Sequence, residues 1–123
     1  MSEATLRYDA RGAIQQVPGA MSPSQIERLR QLFGAYFHQD WALDAPDPDG
    51  IIDCFIADHP NKIELSYLAE LVDAYAGSHS DDGELERSLI TELWCQFLPT
   101  STGVLAHDWL AHVSSRLRAA SQA

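Results

Sequence analysis

The feature that most constrains this chain is the spacing of its apolar residues, which from Ile26 to Leu117 recur at intervals of three and four and are interrupted by prolines and glycines. That interval places side chains on one face of an α-helix, and no stretch alternates strictly for more than a few residues, so a sheet is not required. Ser22 followed by Pro23 and Gln25 supplies an N-cap hydroxyl, a proline suited to the first helical position and a capping-box partner. Ile26, Leu29, Leu32, Phe33, Tyr36 and Phe37 then line a helix expected to end between Gln39 and Trp41, ahead of the prolines at 46 and 48. A second helix is expected to begin between Asp47 and Gly50, to carry Ile51, Ile52, Phe55 and Ile56 inward, and to stop at Pro60. A third runs from Asn61 through Ile63, Tyr67, Leu68, Leu71, Val72 and Tyr75 to Gly77 as a C-terminal glycine. The fourth starts at Ser80 or Asp81, with Leu85, Leu89, Ile90, Leu93 and Trp94 on its apolar face, and is closed by Pro99. A fifth starts near Val104 and presents Leu105, Trp109, Leu110, Val113 and Leu117.

The expected fold is therefore all-α: a single compact domain of about five helices forming an irregular bundle over residues 22–120. Residues 1–21 contain Gly12, Pro18 and Gly19 without a sustained period and read as an N-terminal arm. At 123 residues the chain is long enough to bury about two thirds of its unfolded surface. The longest uninterrupted apolar runs are a few residues, far below the roughly 18 that span a bilayer. The first eleven residues lack the apolar core of a secretory signal, so a cytoplasmic location is expected. Cys54 and Cys95 are too few for a disulfide framework and read as small buried side chains.

Catalytic and metal constellations do not assemble. Placing Gly50 at position six of a calcium loop puts Asp47 and Asp49 at positions three and five, but Ala45 then occupies position one and Ile56 position twelve, where the bidentate glutamate belongs. His107 and His112 are five apart, about 140° round a helix, and do not share a face. No CxxC, HExxH, GxSxG or glycine-rich phosphate loop occurs. Cys95, beside Trp94 and ahead of Phe97, reads as core rather than nucleophile. The chain is read as a binding protein, not an enzyme, with no cofactor and no metal.

Charge carries more information. The net charge of −10 is not spread evenly: residues 40–86 hold 13 carboxylates against Lys62 alone, a balance of −12, while the remainder carries +2. Such a surface argues against direct contact with nucleic acid, whose phosphates are held by Lys and Arg. Dense like charge also costs stability, and it serves either to steer a basic partner or simply to solvate a face. The acidic residues expected to meet a partner are Asp44, Asp47, Asp49 and Asp53 in one segment, and Asp81, Asp82, Glu84 and Glu86 in another. Trp41, Tyr67 or Tyr75 would supply an aromatic anchor if exposed.

The run from Leu29 to Trp41, with its Tyr36-Phe37-His38-Gln39-Asp40-Trp41 core, resembles the opening signature of contact-dependent growth inhibition immunity proteins. Leu93 to Pro99, then Gly103 and the Trp109-Leu110 pair, is similar to that family's closing pattern, although Leu105-Ala106-His107-Asp108 stands where the family carries a Ser-Tyr-Arg run. The resemblance covers residues 26–118. It implies a small bacterial protein without catalytic activity that binds and neutralises the C-terminal domain of a cognate toxin, a nuclease in many systems; from the charge of residues 40–86, the acidic surface is expected to cover the toxin's basic active-site cleft. Tyr36, Phe37, Trp41 and Trp109 would then belong to the core, with His38 and Asp40 fastening the end of the first helix. A monomer is the expectation. The rival reading is an acidic adaptor or antirepressor that binds a basic nucleic-acid-binding protein.

Overall fold

A computed structural model describes residues 21–123, so the expected arm at residues 1–21 lies, but for Met21, outside the described residues. Among these residues there are six α-helices and no strand: α1 (Pro23–Tyr36), α2 (Trp41–Asp44), α3 (Pro48–Asp58), α4 (Lys62–Gly77), α5 (Asp82–Thr91) and α6 (Ala106–Gln122), with a 3₁₀ turn at Pro99–Thr102. The fold is all-α. Four starts are set by local chemistry. Ser22 and Gln25 form a reciprocal capping box, Ser22 Oγ accepting from the Gln25 N–H at 3.2 Å and the Ser22 N–H donating to Gln25 Oε1 at 2.9 Å. Asp47, Asn61 and Asp81 accept from the N–H groups of Gly50, Glu64 and Glu84 at 2.8, 3.0 and 2.9 Å. Each such cap is worth about 1 kcal/mol.

The α6 helix is the hub. It packs most extensively along α4 and also meets α3, α5 and the 3₁₀ turn, while α1 lies against α3 and α4. Its Trp109 sits among Phe33, Phe37 and Phe97, with ring centroids 5.7, 5.3 and 4.9 Å away. Edge-on and tilted aromatic pairs at these distances add about 0.5–1.5 kcal/mol each beyond the area they bury. Leu29, Leu32, Ile52, Val72, Leu85, Leu89, Val113 and Leu117 are fully buried around them.

The structure departs from the sequence expectations in several places. The first helix stops at Tyr36, short of residues 39–41, and a separate four-residue helix follows. Continuing α1 would commit the Phe37 carbonyl to the Trp41 N–H. Instead the Gln96 N–H donates to Phe37 O at 2.7 Å, and Trp41 N–H donates to His38 O at 3.0 Å. Gly77 remains in the right-handed helix as the last residue of α4, and Ser78 forms the cap. Ile63, expected to face inward, is 82% exposed, because the inward face of α4 is set by Leu65, Leu68, Ala69 and Val72. Leu105 is exposed because it is the N-cap of α6 and precedes the helix. Trp94 lies beyond the end of α5 rather than on its apolar face. Cys54 is exposed on α3, whereas Cys95 is buried.

Gly34 marks a close approach. A β-carbon there would come within 2.9 Å of the Leu93 carbonyl oxygen and 3.3 Å of Trp94 Cβ. Gly34→Ala gains about 1 kcal/mol of helix propensity but forces a backbone shift whose overpacking cost is about 1–3 kcal/mol. We expect a net loss of stability, read as a lower urea midpoint with unchanged slope; a midpoint at or above wild type contradicts the close packing of α1 on residues 93–94.

Candidate functional site

The two acidic segments do not converge on one face. On the first, Asp49 Oδ1 lies 2.8 Å from His112 Nε2, and Arg116 reaches both Asp53 (2.5 Å) and Asp49 (3.6 Å). On the second, Asp82 meets His107 (2.7 Å), and Arg118 on the same flank of α6 pairs with Asp73 of α4 (2.8 Å). At 100° per residue, His112 and Arg116 occupy one flank of α6 and His107 and Arg118 the other, with the core-facing residues between them. The central acidity is thus divided by α6, and part of it is neutralised by cations of that helix.

Asp82 also acts as a cap supplied from outside the helix. Its carboxylate accepts the backbone N–H groups of Ala106 (2.9 Å) and His107 (2.8 Å), the free donors at the start of α6. Burial opposes its ionisation, but the two N–H groups and the His107 ring outweigh that and hold its carboxyl below the ordinary value. The His107 ring has an acceptor at each nitrogen, Asp82 Oδ1 at Nδ1 and the His79 carbonyl oxygen at Nε2 (2.6 Å), so both nitrogens donate only in the imidazolium. The hydrogen bond to Asp82 accordingly raises the His107 pKa, with the His79 carbonyl adding to it.

Of the other acidic candidates, Asp47 and Asp81 are N-caps and Glu86 accepts from the Thr100 N–H (3.0 Å) and hydroxyl (2.7 Å). Asp44 pairs with His38 (2.9 Å) on an exposed edge, and Glu84 is exposed in the first turn of α5. Within the motif, Phe37 is fully buried and Trp109 nearly so, Trp41 is partly buried, and the Tyr36 hydroxyl donates to Asp58 (2.7 Å). His38 Nδ1 accepts from the Asp40 N–H at 3.1 Å, while the Asp40 carboxylate makes no capping bond to α2. Tyr75 is buried; Tyr67 is 40% exposed beneath the Arg28 guanidinium.

Beside the first acidic segment is an open groove of about 410 Å³, lined by Trp41, Pro46, Asp47, Pro48, Phe97 and Leu98 among others. One wall is an extended segment that sequence reasoning assigned to the fourth helix and its closing turn. Along residues 93–99, burial alternates: Leu93, Cys95, Phe97 and Pro99 point inward, and Trp94, Gln96 and Leu98 outward. The signal was present as an alternation in Leu93-Trp94-Cys95-Gln96-Phe97-Leu98, but every outward position except Gln96 is itself apolar, so polarity did not mark it. Cys95 donates weakly to Phe97 O at 3.5 Å, and burial pushes its thiol up to about 12, so it is no thiolate at neutral pH. Among the described residues no three His, Cys, Asp or Glu side chains gather to hold a metal, and no helix is long and apolar enough to cross a membrane.

Comparison with known families matches residues 25–117 to the family described as CdiI immunity protein. The chain belongs to the CdiI immunity protein family. This membership supports a toxin-neutralising role, exercised by binding a cognate toxin. No curated protein and no solved structure matches the chain.

The Asp82–His107 contact makes stability depend on pH. Because the His107 pKa is raised on folding, its contribution is full below the ordinary imidazole value of 6.5 and is lost as pH rises through the higher folded value. Asp82, shifted down, contributes above its ordinary value of 3.8 and loses that only in acid. We expect the urea midpoint of the wild type to fall between pH 6 and pH 8 relative to His107→Gln; parallel profiles would show that the imidazolium is not formed.

Proposed function

We propose that this immunity protein neutralises a nuclease toxin by placing the acidic end formed by α2 and the start of α3 over the toxin's basic active-site cleft. A nuclease holds phosphates with Lys and Arg, so its cleft is the surface an acidic inhibitor can occupy in place of the substrate. The observation that carries this reading is the confinement of the charge, −12 over residues 40–86, together with the groove that borders its first segment. Of the two acidic segments, this one adjoins an apolar floor, and a docking surface needs a desolvated centre inside a polar rim. Carboxylates of both segments also serve the fold, Asp47 capping α3 and Asp53 pairing with Arg116 in the first as Asp81 caps α5 and Asp82 caps α6 in the second, so the groove is what distinguishes the first. The role is inhibition by occlusion in the cytoplasm, with no reaction of its own.

Two measurements test it. Expression of the C-terminal domain of the cognate toxin should arrest growth and degrade nucleic acid, and coexpression of the chain should prevent both; intact nucleic acid during arrest overturns the nuclease reading. For steering, Asp40→Asn, Asp44→Asn and Asp53→Asn remove three charges while leaving the Asp47 cap and the Asp49 contacts in place. Association with the toxin domain should slow by about tenfold at low salt and depend less on salt. An on-rate that matches wild type at every salt concentration contradicts the acidic-docking mechanism.

A further inference from the structure

Trp94 is the one non-glycine residue with positive φ among the described residues, at 62°, and its side chain is 52% exposed. It follows α5, where the Leu93 N–H donates to Ser88 O and the Cys95 N–H to Leu89 O, closing the helix in a left-handed turn. That position ordinarily belongs to glycine, and a bulky side chain there is a strained choice. The ring is nonetheless held in place. The Arg30 guanidinium stacks over it at 4.1 Å and is itself fixed by donation from Nε to the Glu92 carbonyl oxygen at 2.7 Å, while the absent side chain of Gly34 lets Trp94 lie against α1. A rigid, solvent-facing Trp clamped by Arg unites the two residue types most enriched among binding hot spots. It also begins the outward row of Trp94, Gln96 and Leu98, whose far end forms the groove beside Asp47.

We infer that this row is the anchor by which the chain grips its toxin: Trp94 and Leu98 enter an apolar recess of the toxin, and the carboxylate of Asp47 at the far end of the row meets basic residues bordering that recess. The occupant is the toxin domain, because the row is continuous with the acidic groove and the complement of that combined surface is an apolar patch edged by Lys or Arg. This inference rests on the toxin-docking reading above and names the residues that hold the complex once steering has formed it.

The test uses the full chain and the C-terminal domain of its cognate toxin. Trp94→Gly suits the left-handed backbone, so thermal stability should stay within a few degrees of wild type while toxin affinity falls about 30-fold, through faster dissociation. In parallel, hydroxyl-radical footprinting of the wild-type chain should show Trp94 protected several-fold when the toxin domain is bound. The footprint needs no variant and decides the matter if Trp94→Gly proves unstable. Wild-type affinity in Trp94→Gly, or equal labelling of Trp94 in the free and bound chain, overturns the anchor and leaves the docking reading standing. Failure of the wild-type chain to bind the toxin domain overturns both.

Discussion

A single backbone hydrogen bond, from the Gln96 N–H to the Phe37 carbonyl at 2.7 Å, decides where α1 gives way to other structure. It withdraws the Phe37 oxygen from the helical ladder, ends α1, and lays residues 93–99 along the C-terminal half of that helix. With the chain held there, Phe97 reaches Phe37 and Trp109, and Trp41 turns back onto Phe97 at 5.6 Å. The same placement brings Leu93 and Trp94 onto Gly34, where an added β-carbon would meet the Leu93 carbonyl oxygen at 2.9 Å. The two halves of the family motif, one on α1 and one on residues 93–110, are therefore a single packed unit.

Around that unit, electrostatics serves two ends. Carboxylates at helix starts and beside Arg116, Arg118 and His107 hold helices together, so much of the negative charge is retained by the fold itself. Hydrogen bonds to backbone N–H groups satisfy Asp47, Asp81 and Glu86 without cancelling their charge. The protein thus keeps a strong field while leaving few carboxylates idle, and a residue can act in both capacities.

Helix starts were legible because capping is local: Ser22, Asp47, Asn61 and Asp81 bond to N–H groups three residues on, and no distant contact is needed. The helical period likewise exposed most of the core. Helix ends were less legible. The stop at Tyr36 depends on Gln96, and the inward face of α4 depends on which stripe meets α6, so Ile63 and Leu65 could not be told apart by spacing. At the candidate site, the acidic residues were visible from composition, but their division across two flanks of α6 was not, since it follows from the pairing of residues 63 positions apart.

The amino-acid sequence by itself determined the all-α class, the starts of four helices, the family and the confinement of negative charge, because each rests on neighbouring residues or on a motif read in order. Tertiary structure alone decided that Trp94 stands in a left-handed turn with Arg30 upon it, that Asp82 caps a helix from outside, and that an extended row borders the acidic groove. These depend on contacts between segments far apart in the chain, which local spacing does not encode.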